Sequence, residues 1–540
     1  MSRLLYEIGI FRGSGGSAGV KAASAFGWGL SNKRVIKNIS ICIFLFVLFG
    51  ASITFAVDAF PGAEGSGRFA TGGRGGTVYE VNNLNNSGSG SIVDAVSQTN
   101  RTIVFRVSGT IELDTVVLTP KSNITIAGQT APGDGICLKG RIQIKNSAHD
   151  IVIRYIRVRV DAGKANSAGD AIDIDSGYNI IIDHVTASYA RDEGISCQED
   201  TNMVTVQWCI ISEALTFESH SYGSLIRGQY GQQKTYHHNL YAHNQGRNPR
   251  PGNYLAIGSD PEGLHFDFRN NVMYNWSGNY SGYNADGAGF VSRYNFIGND
   301  FIKGPESGSS SYVFREYSPD VYGYFADNTR DGVLPGTQWL LLNFYGFTTE
   351  QITAYIARSY LVPMEAVTTT SAAQAKIDVL ANAGASYPKR DIIDTRIVND
   401  VLNKTGHSIW DTNAQPEGGW PTLNSLPALP DSDHDGMPDI WETSHGLNTN
   451  DASDRNGYTL NPDYTNLEVY LDWLVSSVRT DIVYDGIVDF YDFAEFAKRW
   501  NTSAGSPLYD ERYDFGPNGT ISMDDLLYIA QDWLTSGQEY

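Results

Sequence analysis

Cysteine is scarce in this chain of 540 residues: there are four, Cys42, Cys137, Cys197 and Cys209. Cys42 lies in an N-terminal apolar run, and the three that remain do not make a disulfide framework. Cys197 and Cys209 are expected as small buried apolar residues rather than as a pair. Positive charge is also thin, with 39 Lys and Arg against 60 Asp and Glu, a formal net charge of −21. That deficit argues against a nucleic-acid partner, because phosphate binding needs an excess of Lys and Arg. It leaves room for an acidic polysaccharide, since a local basic cleft binds a polyanion on an acidic protein. Residues of helical period are missing between about 100 and 300, which excludes alternating βαβ architecture there.

Glycine (56) and tyrosine (31) are plentiful, while charged residues make up 18% and hydrophobic residues 41%. This is a globular composition suited to short strands joined by many turns. The length exceeds one ordinary domain.

The N-terminus reads as an export signal. Lys33, Arg34 and Lys37 precede an apolar run from about Ile41 to Ala56, with Ala56 or Ala59 as cleavage points. The run is short for a membrane span and has signal-peptide flanks. Residues 1 to 32 are unusual for a signal, so a start downstream of Met1 is expected, and the mature protein is expected outside the cell as a monomer.

Short β-rich runs recur at Thr102–Val107, Asn123–Ala127, Asp150–Val160, Asn179–Ser188, Met203–Ser212, Thr235–Asn244, Phe266–Trp276 and Val291–Phe301. Starts separated by roughly 20 to 30 residues indicate a solenoid or propeller. Asp183, Gln207, Asn239, Asn271 and Asn295 share one local context, at spacings of 24, 32, 32 and 24 residues. In a β-helix such positions stack about 4.8 Å apart, where polar side chains hydrogen-bond to the coils above and below. The expected fold is therefore all-β, a right-handed parallel β-helix. Thr349–Ala357 and Ala372–Ala383 read as helices against its side or end. A Pro-rich linker, Pro421 to Pro430, should then separate a different C-terminal region.

That region carries calcium-type loops. Asp431, Asp433, Asp435, Met437, Asp439 and Glu442 occupy positions 1, 3, 5, 7, 9 and 12 of a twelve-residue loop, with Gly436 at 6. Calcium takes six to eight hard oxygens, and the glycine permits the sharp turn. Two weaker loops follow: Asp481, Asp485, Asp489 and Asp492, then Asp514, Asn518, Ser522 and Asp525, with Val483 and Gly516 at their third positions. Helices are expected at Phe493–Trp500 and Leu526–Trp533. The tandem loop-helix units resemble a dockerin module, which implies a cohesin-bearing scaffold as partner. The domains expected are 1–58 (extension and signal), 59–425 (β-helix with helical extension), 426–475 (EF-hand-like or thrombospondin-type-3-like calcium segment) and 476–540 (dockerin-like module).

Several motifs stand in order within about residues 57 to 410: Ala59-Phe-Pro-Gly-Ala-Glu-Gly65, Thr71-Gly-Gly-Arg-Gly-Gly76, Gly169-Asp-Ala-Ile172, Ile182-Asp-His-Val185 and Arg247-Asn-Pro-Arg250. Together they resemble the secreted pectate lyases of polysaccharide lyase family 1. The resemblance implies a β-helix and calcium-dependent β-elimination of (1,4)-α-D-galacturonan, giving 4,5-unsaturated products. It implies Asp170 as a catalytic calcium ligand, with Asp192 and Glu193 joining it from the next coil, and Arg247 as the catalytic residue. Arg250, His220 and Arg227 are then expected to bind substrate. The family pattern is broken at Ala168, at Ser196 or Cys197, and at Tyr222, where a substrate-binding lysine is expected; fewer fixed calcium ligands follow. Arginine is an unusual base, and stabilising an enolate is its alternative role. A polygalacturonase, a pectin lyase and a non-catalytic polysaccharide-binding protein are the competing readings.

Overall fold

Residues 77–344 wind into a parallel β-solenoid of about nine turns. The computed structural model describes residues 56–534 except 165–168, 218–219, 412–413, 477–479, 481, 484–486, 511–512 and 516–518. The expected signal segment, with Cys42, thus lies outside the described residues, as do Asp481, Asp485 and Asn518. Val57 begins the compact body that runs through the rest of the chain.

Three parallel ladders make the walls. One runs from Thr77–Val81 through Arg101–Phe105 and Ile124–Ala127 to Tyr322–Ala326. A second joins Ile156–Arg159, Thr186–Ser188, Ile210–Ser212, Leu240–Ala242, Val272–Tyr274 and Asp300–Ile302. The third starts from the opening residues of strands Ile172–Asp183 and Ile195–Gln207, and continues through Leu225–Arg227 and Arg250–Gly252. Gly282–Asn284, Phe314–Glu316 and Leu342–Phe344 extend it as a short parallel sheet.

Alternation of side chains along each strand sends one residue in two inward. In the first ladder the inward column is Ile103, Ile126, Ile153, Ile182, Val206, Tyr236, Phe268, Phe296 and Phe325, each the register partner of the next. All nine are buried in one hydrophobic core. The shift from aliphatic to aromatic along this column fills the solenoid without a break in packing.

From Asp150 onward each repeated run is two strands, not one, while Thr102–Val107 and Asn123–Ala127 hold one strand each. A single residue of positive φ bends the chain between ladders: Tyr155 (φ 55°), His184 (51°), Trp208 (53°), His238 (54°) and Asn270 (51°). These corner side chains stack on one another, with ring centroids 4.6 Å apart for Tyr155 and His184 and 4.3 Å for Trp208 and His238.

The expected polar stack is real but differently composed. Gln207 Nε2 donates to Asp183 Oδ1 at 2.8 Å, and its register partner in the next coil is His237, not Asn239. Asn239 instead begins a separate ladder two residues on, formed with Asn271, Asn299 and Asn328. Each backbone N–H in it donates to the next asparagine Oδ1 at 2.9–3.1 Å. Asn295 is not a member; it pairs with Asp267 in register and holds the backbone of Val362. Its spacing of 24 from Asn271 matched by coincidence.

The helix Thr349–Ala357 closes one end of the solenoid, with Tyr355 buried against Trp339 and Phe344. Helix Ala372–Asn382 and a further helix, Ile392–Asn403, pack Val379, Ile393, Ile397 and Val401 on the outside of the second ladder. The 421–430 segment does not behave as a free linker. Asn424 N donates to Asp134 Oδ2 at 2.9 Å, Leu426 N to Pro132 O at 3.0 Å, and Leu429 O accepts from Arg106. An extended Pro-rich strand keeps its carbonyls and remaining N–H groups free, and here the coil turns satisfy them. The segment beyond it shares a core with the coils, where Trp441, Leu467, Tyr470 and Leu471 pack on Ala127 and Val78.

In the last module the helices are Phe490–Ala497 and Met523–Gln531, three residues earlier than expected. Asp489 and Ser522 cap them, and Asp492 and Asp525 reach back to the cap N–H groups. Cys137, Cys197 and Cys209 are buried free thiols. Among the described residues no helix is long and apolar enough to cross a membrane.

Candidate active site

The turns that lead into the third ladder carry the site. Asp170, Glu193, Tyr222 and Arg247 stand on four consecutive coils, tied by backbone pairs Glu193 to Tyr222 and Tyr222 to Gly246. Asp170 Oδ1 accepts from Glu193 N at 3.1 Å, which fixes the first two turns together. Gly169 has φ of +113°, and a Cβ there would stand 2.5 Å from the Arg141 guanidinium. Only glycine lets Arg141 Nε reach the Asp170 carbonyl at 2.6 Å.

Asp170, Asp192 and Glu193 each offer an oxygen, all within 4.8 Å of one another. Asp192 Oδ1 is buried and has no hydrogen-bond partner. Three converging carboxylates with a free buried oxygen fit a hard cation such as calcium. Burial and the neighbouring Glu193 hold the Asp170 carboxyl well above its ordinary range. Burial likewise pushes Glu193 up to about 6, against the pull of Arg247.

Arg247 adopts φ of +53° and lays its guanidinium over the Tyr222 ring, 3.9 Å from its centre. It is ion-paired with Glu193, lies 3.9 Å from Asp192, and its Nε faces Tyr283 OH at 3.3 Å. Burial pulls its pKa down, but Glu193 and Tyr283 more than offset this and hold it above the ordinary value.

His220 stands beside the trio, with Nε2 3.8 Å from Asp192 Oδ1 and its ring edge-on to Tyr222. Arg250 and Arg227 lie one coil apart on the outward face, linked by Tyr254: Arg250 Nη1 faces Tyr254 OH at 3.3 Å, and Arg227 lies over its ring at 3.6 Å. Arg227 also faces Glu199 at 3.5 Å. The fold thus sets Asp170, Asp192, Glu193, His220, Arg227, Arg247 and Arg250 on neighbouring coils, in the third ladder and the turns that lead into it.

No family model matches the chain. A probable pectate lyase C of Aspergillus flavus is 38% identical over 437 residues, covering 78% of this chain and 96% of the relative. A probable pectate lyase C of Neosartorya fischeri is 39% identical over 438 residues, covering 79% and 96%. The chain belongs to the pectate lyase family. Among solved structures, a pectate lyase bound to a hexasaccharide is 16% identical with a TM-score of 0.42, over 61% of this chain and 98% of that one. The cedar-pollen allergen jun a 1 is 17% identical with a TM-score of 0.41, over 60% and 92%. These superpositions are partial, and membership rests on the sequence relatives.

For a pectate lyase of this kind, motif reading missed three side chains. Tyr222 and Tyr283 frame Arg247; the motifs marked Tyr222 only as a departure from an expected lysine, and Tyr283 not at all, because only coil register brings them there. Asp454 is the third. In the C-terminal loop Asp431, Asp433 and Asp435 converge, and Asp435, Glu442 and Asp454 converge beside them. Asp439 is turned away, accepting from Ser432 N at 2.7 Å and Ser432 Oγ at 2.8 Å. Both oxygens of Asp433 and of Glu442, with Asp435 Oδ2 and Asp454 Oδ1, are buried without hydrogen-bond partners. Burial and the surrounding carboxylates push Asp435 up to about 7 and Glu442 to about 8.

Proposed function

We propose that this protein is a secreted, calcium-dependent pectate lyase that cleaves (1,4)-α-D-galacturonan by β-elimination. The observation that carries this reading is Arg247 beside the acidic trio of Asp170, Asp192 and Glu193, with Arg227 and Arg250 on the outward face of the adjoining strands. Asp170, Asp192 and Glu193 would hold the cation. When bound, calcium withdraws charge from the substrate's C6 carboxylate and so acidifies the C5 proton.

In the reaction the C5–H bond breaks, its proton going to water while Arg247 is a cation and to Arg247 when it is the base, its electron pair forms the C4–C5 double bond, and the C4–O bond breaks with its pair on the leaving oxygen. The leaving oxygen takes a proton from water. Arg247 is the residue for the C5 position. While Glu193 holds it, the guanidinium is a cation suited to stabilising the enolate; acting as base requires Glu193 to be engaged elsewhere. Arg250 and Arg227 present guanidinium forks to uronate carboxylates, and His220 lines the same turn.

A hydrolase reading has one feature in its favour, three carboxylates close together. Their oxygens are within 4.8 Å, tighter than the roughly 6.5–9.5 Å that leaves room for an attacking water in inverting enzymes. Incubation with polygalacturonate separates the two. An ultraviolet absorbance rise that needs calcium and stops with chelator supports elimination. New reducing ends without absorbance would make the protein a hydrolase, and neither signal would favour a binding protein.

The C-terminal loop is read as a second calcium site, with Asp431, Asp433, Asp435, Glu442 and Asp454 as side-chain ligands and Met437 contributing its carbonyl. The last module is read as dockerin-like with a cohesin as partner; pull-down with an immobilised cohesin tests it.

A further inference from the structure

The outward face of the third ladder does not end at Arg250. Tyr283 N donates to Pro249 O at 3.1 Å, which sets Tyr283 beside Arg250, and the Arg250 guanidinium lies 5.8 Å from its ring. Tyr283 is in turn the register partner of Arg315, and Arg315 of Asn343. Coils are about 4.8 Å apart, so Arg315 stands on the same face roughly 10 Å beyond Arg250.

Tyrosines surround Arg315. Its guanidinium lies 4.3 Å from the Tyr280 ring centre and 4.9 Å from that of Tyr345. Its N–H groups face Tyr280 OH at 3.5 Å, Tyr317 OH at 3.3 Å and Tyr312 OH at 3.4 Å, while Nε is buried with no partner. These contacts are long for hydrogen bonds. The acid next in sequence, Glu316, is fully buried and accepts from Asn284 and Tyr355, so it is not available. Among the described residues none forms an ion pair with Arg315, in a protein of net charge −21. Rings packed on the guanidinium fix its fork in place before any ligand arrives. Tyr345 is 56% exposed and offers an apolar face beside that fork.

We propose that Arg315, framed by Tyr280, Tyr312, Tyr317 and Tyr345, is a remote subsite that takes the carboxylate of a uronate unit distant from the bond being cleaved. The inference rests on the galacturonan reading and extends it: the enzyme prefers long, unesterified chains because a further guanidinium, beyond those of Arg227 and Arg250, holds them two coils away from Arg250.

The test compares digalacturonate with hexagalacturonate, in calcium, by titration calorimetry. An Arg247→Ala background prevents turnover, and Arg315→Gln and Tyr345→Ala are added to it singly. Loss of one charge-assisted bidentate contact should weaken hexagalacturonate about tenfold in Arg315→Gln. Digalacturonate should stay within about twofold, and a fully methyl-esterified hexamer should bind parent and variant alike. Equal affinity of parent and variant for the hexamer overturns the subsite. So does equal weakening for both lengths with a lowered melting temperature, which marks a structural arginine. If the parent binds neither oligomer, the galacturonan reading itself fails and takes the subsite with it; that result appears in the parent, not in the variant.

Discussion

The Arg247 guanidinium is ion-paired with the Glu193 carboxylate, two coils away and 54 residues earlier in the chain. Neither residue is near the other in sequence, and the solenoid register alone makes them neighbours. The pair couples the two halves of the proposed chemistry, a cation site and a group acting at C5.

Arg247→Ala should lower kcat on polygalacturonate about a thousandfold, as loss of a charge-stabilising donor does. Affinity should change far less, because Arg227 and Arg250 remain. Arg247→Lys separates the two roles. A lysine keeps the positive charge but loses the fork, so partial recovery of turnover supports enolate stabilisation by charge. Stopped-flow absorbance at saturating substrate measures both variants. Unchanged turnover in Arg247→Ala would remove this residue from the mechanism.

Calcium affinity at the trio should fall as pH drops through about 6. Burial raises both Asp170 and Glu193 above their ordinary values, Glu193 to about 6, so below that pH Glu193 in the metal-free site is protonated and a charge that holds a cation is lost. The sign for stability is the reverse of the common carboxylate case. The folded state binds more protons than the unfolded one between the ordinary carboxylate range and about pH 6, so rising pH destabilises the metal-free protein across that window. Calcium should therefore raise the melting temperature more at pH 8 than at pH 5. Thermal melts with calcium and with chelator at the two pH values check this.

The proposed calcium site in the C-terminal loop should be independent of the proposed one at the trio. Glu442 and Asp435 hold unpartnered buried oxygens next to Asp454, and the segment that carries them packs Trp441 and Tyr470 on the first coils. Glu442→Gln should lower the number of bound calcium ions by one and speed proteolysis within residues 431–476. Turnover with saturating calcium should be retained. Asp170→Asn should do the opposite, abolishing turnover while leaving that segment protected. Calcium counting with limited proteolysis reads both, and equal stoichiometry in Glu442→Gln and the parent excludes the site.

The asparagine ladder makes a stability prediction. Asn271 Oδ1 accepts from Asn239 N and Nδ2, and its Nδ2 donates to Tyr236 O, all at 2.9 Å. Asn271→Ala leaves these groups unpaired in a buried corner and should cost about 3 kcal/mol. Chemical denaturation measures it; a cost below about 1 kcal/mol would show that the neighbours re-pair.

Much of this architecture was legible in the sequence because a solenoid repeats its physics. Apolar β-branched runs recur at coil length, and the Gly-Asp-Ala-Ile and Arg-Asn-Pro-Arg motifs stand in the turns that build the site. What escaped reading depends on register. Turns between coils differ in length, so Asn295 matched the polar spacing while Asn299 and Asn328 were overlooked. The sign that marks the true ladder is the corner residue before each member, His238, Asn270, Gly298 and Asp327, all of positive φ. Tyr283 had no signal, since aromatic residues are common on every coil, and Tyr222 was marked only as a break in the family pattern. Asp454 lies twelve residues past Glu442, the loop's last position, and the twelve-residue pattern already had an acid, Asp439, at its ninth.

The start of the mature chain follows from the same contacts. Two cleavage points, Ala56 and Ala59, are chemically similar, but the fold treats them differently. Ala56 is exposed, whereas Ala59 is buried and donates to Arg68 O at 2.7 Å. Asp58 pairs with Arg68 at 2.6 Å and its carbonyl accepts from Arg74 at 2.7 Å. Cleavage after Ala59 would remove Asp58 and leave both arginines without these partners, in the turn whose Phe60 lies under the buried Arg154. Cleavage after Ala56 keeps every one of these contacts. If the protein is exported as proposed, its mature form should therefore begin at Val57, and N-terminal sequencing of culture-medium protein should read Val-Asp-Ala-Phe-Pro. A sequence beginning at Phe60 would show that the Asp58 contacts are dispensable.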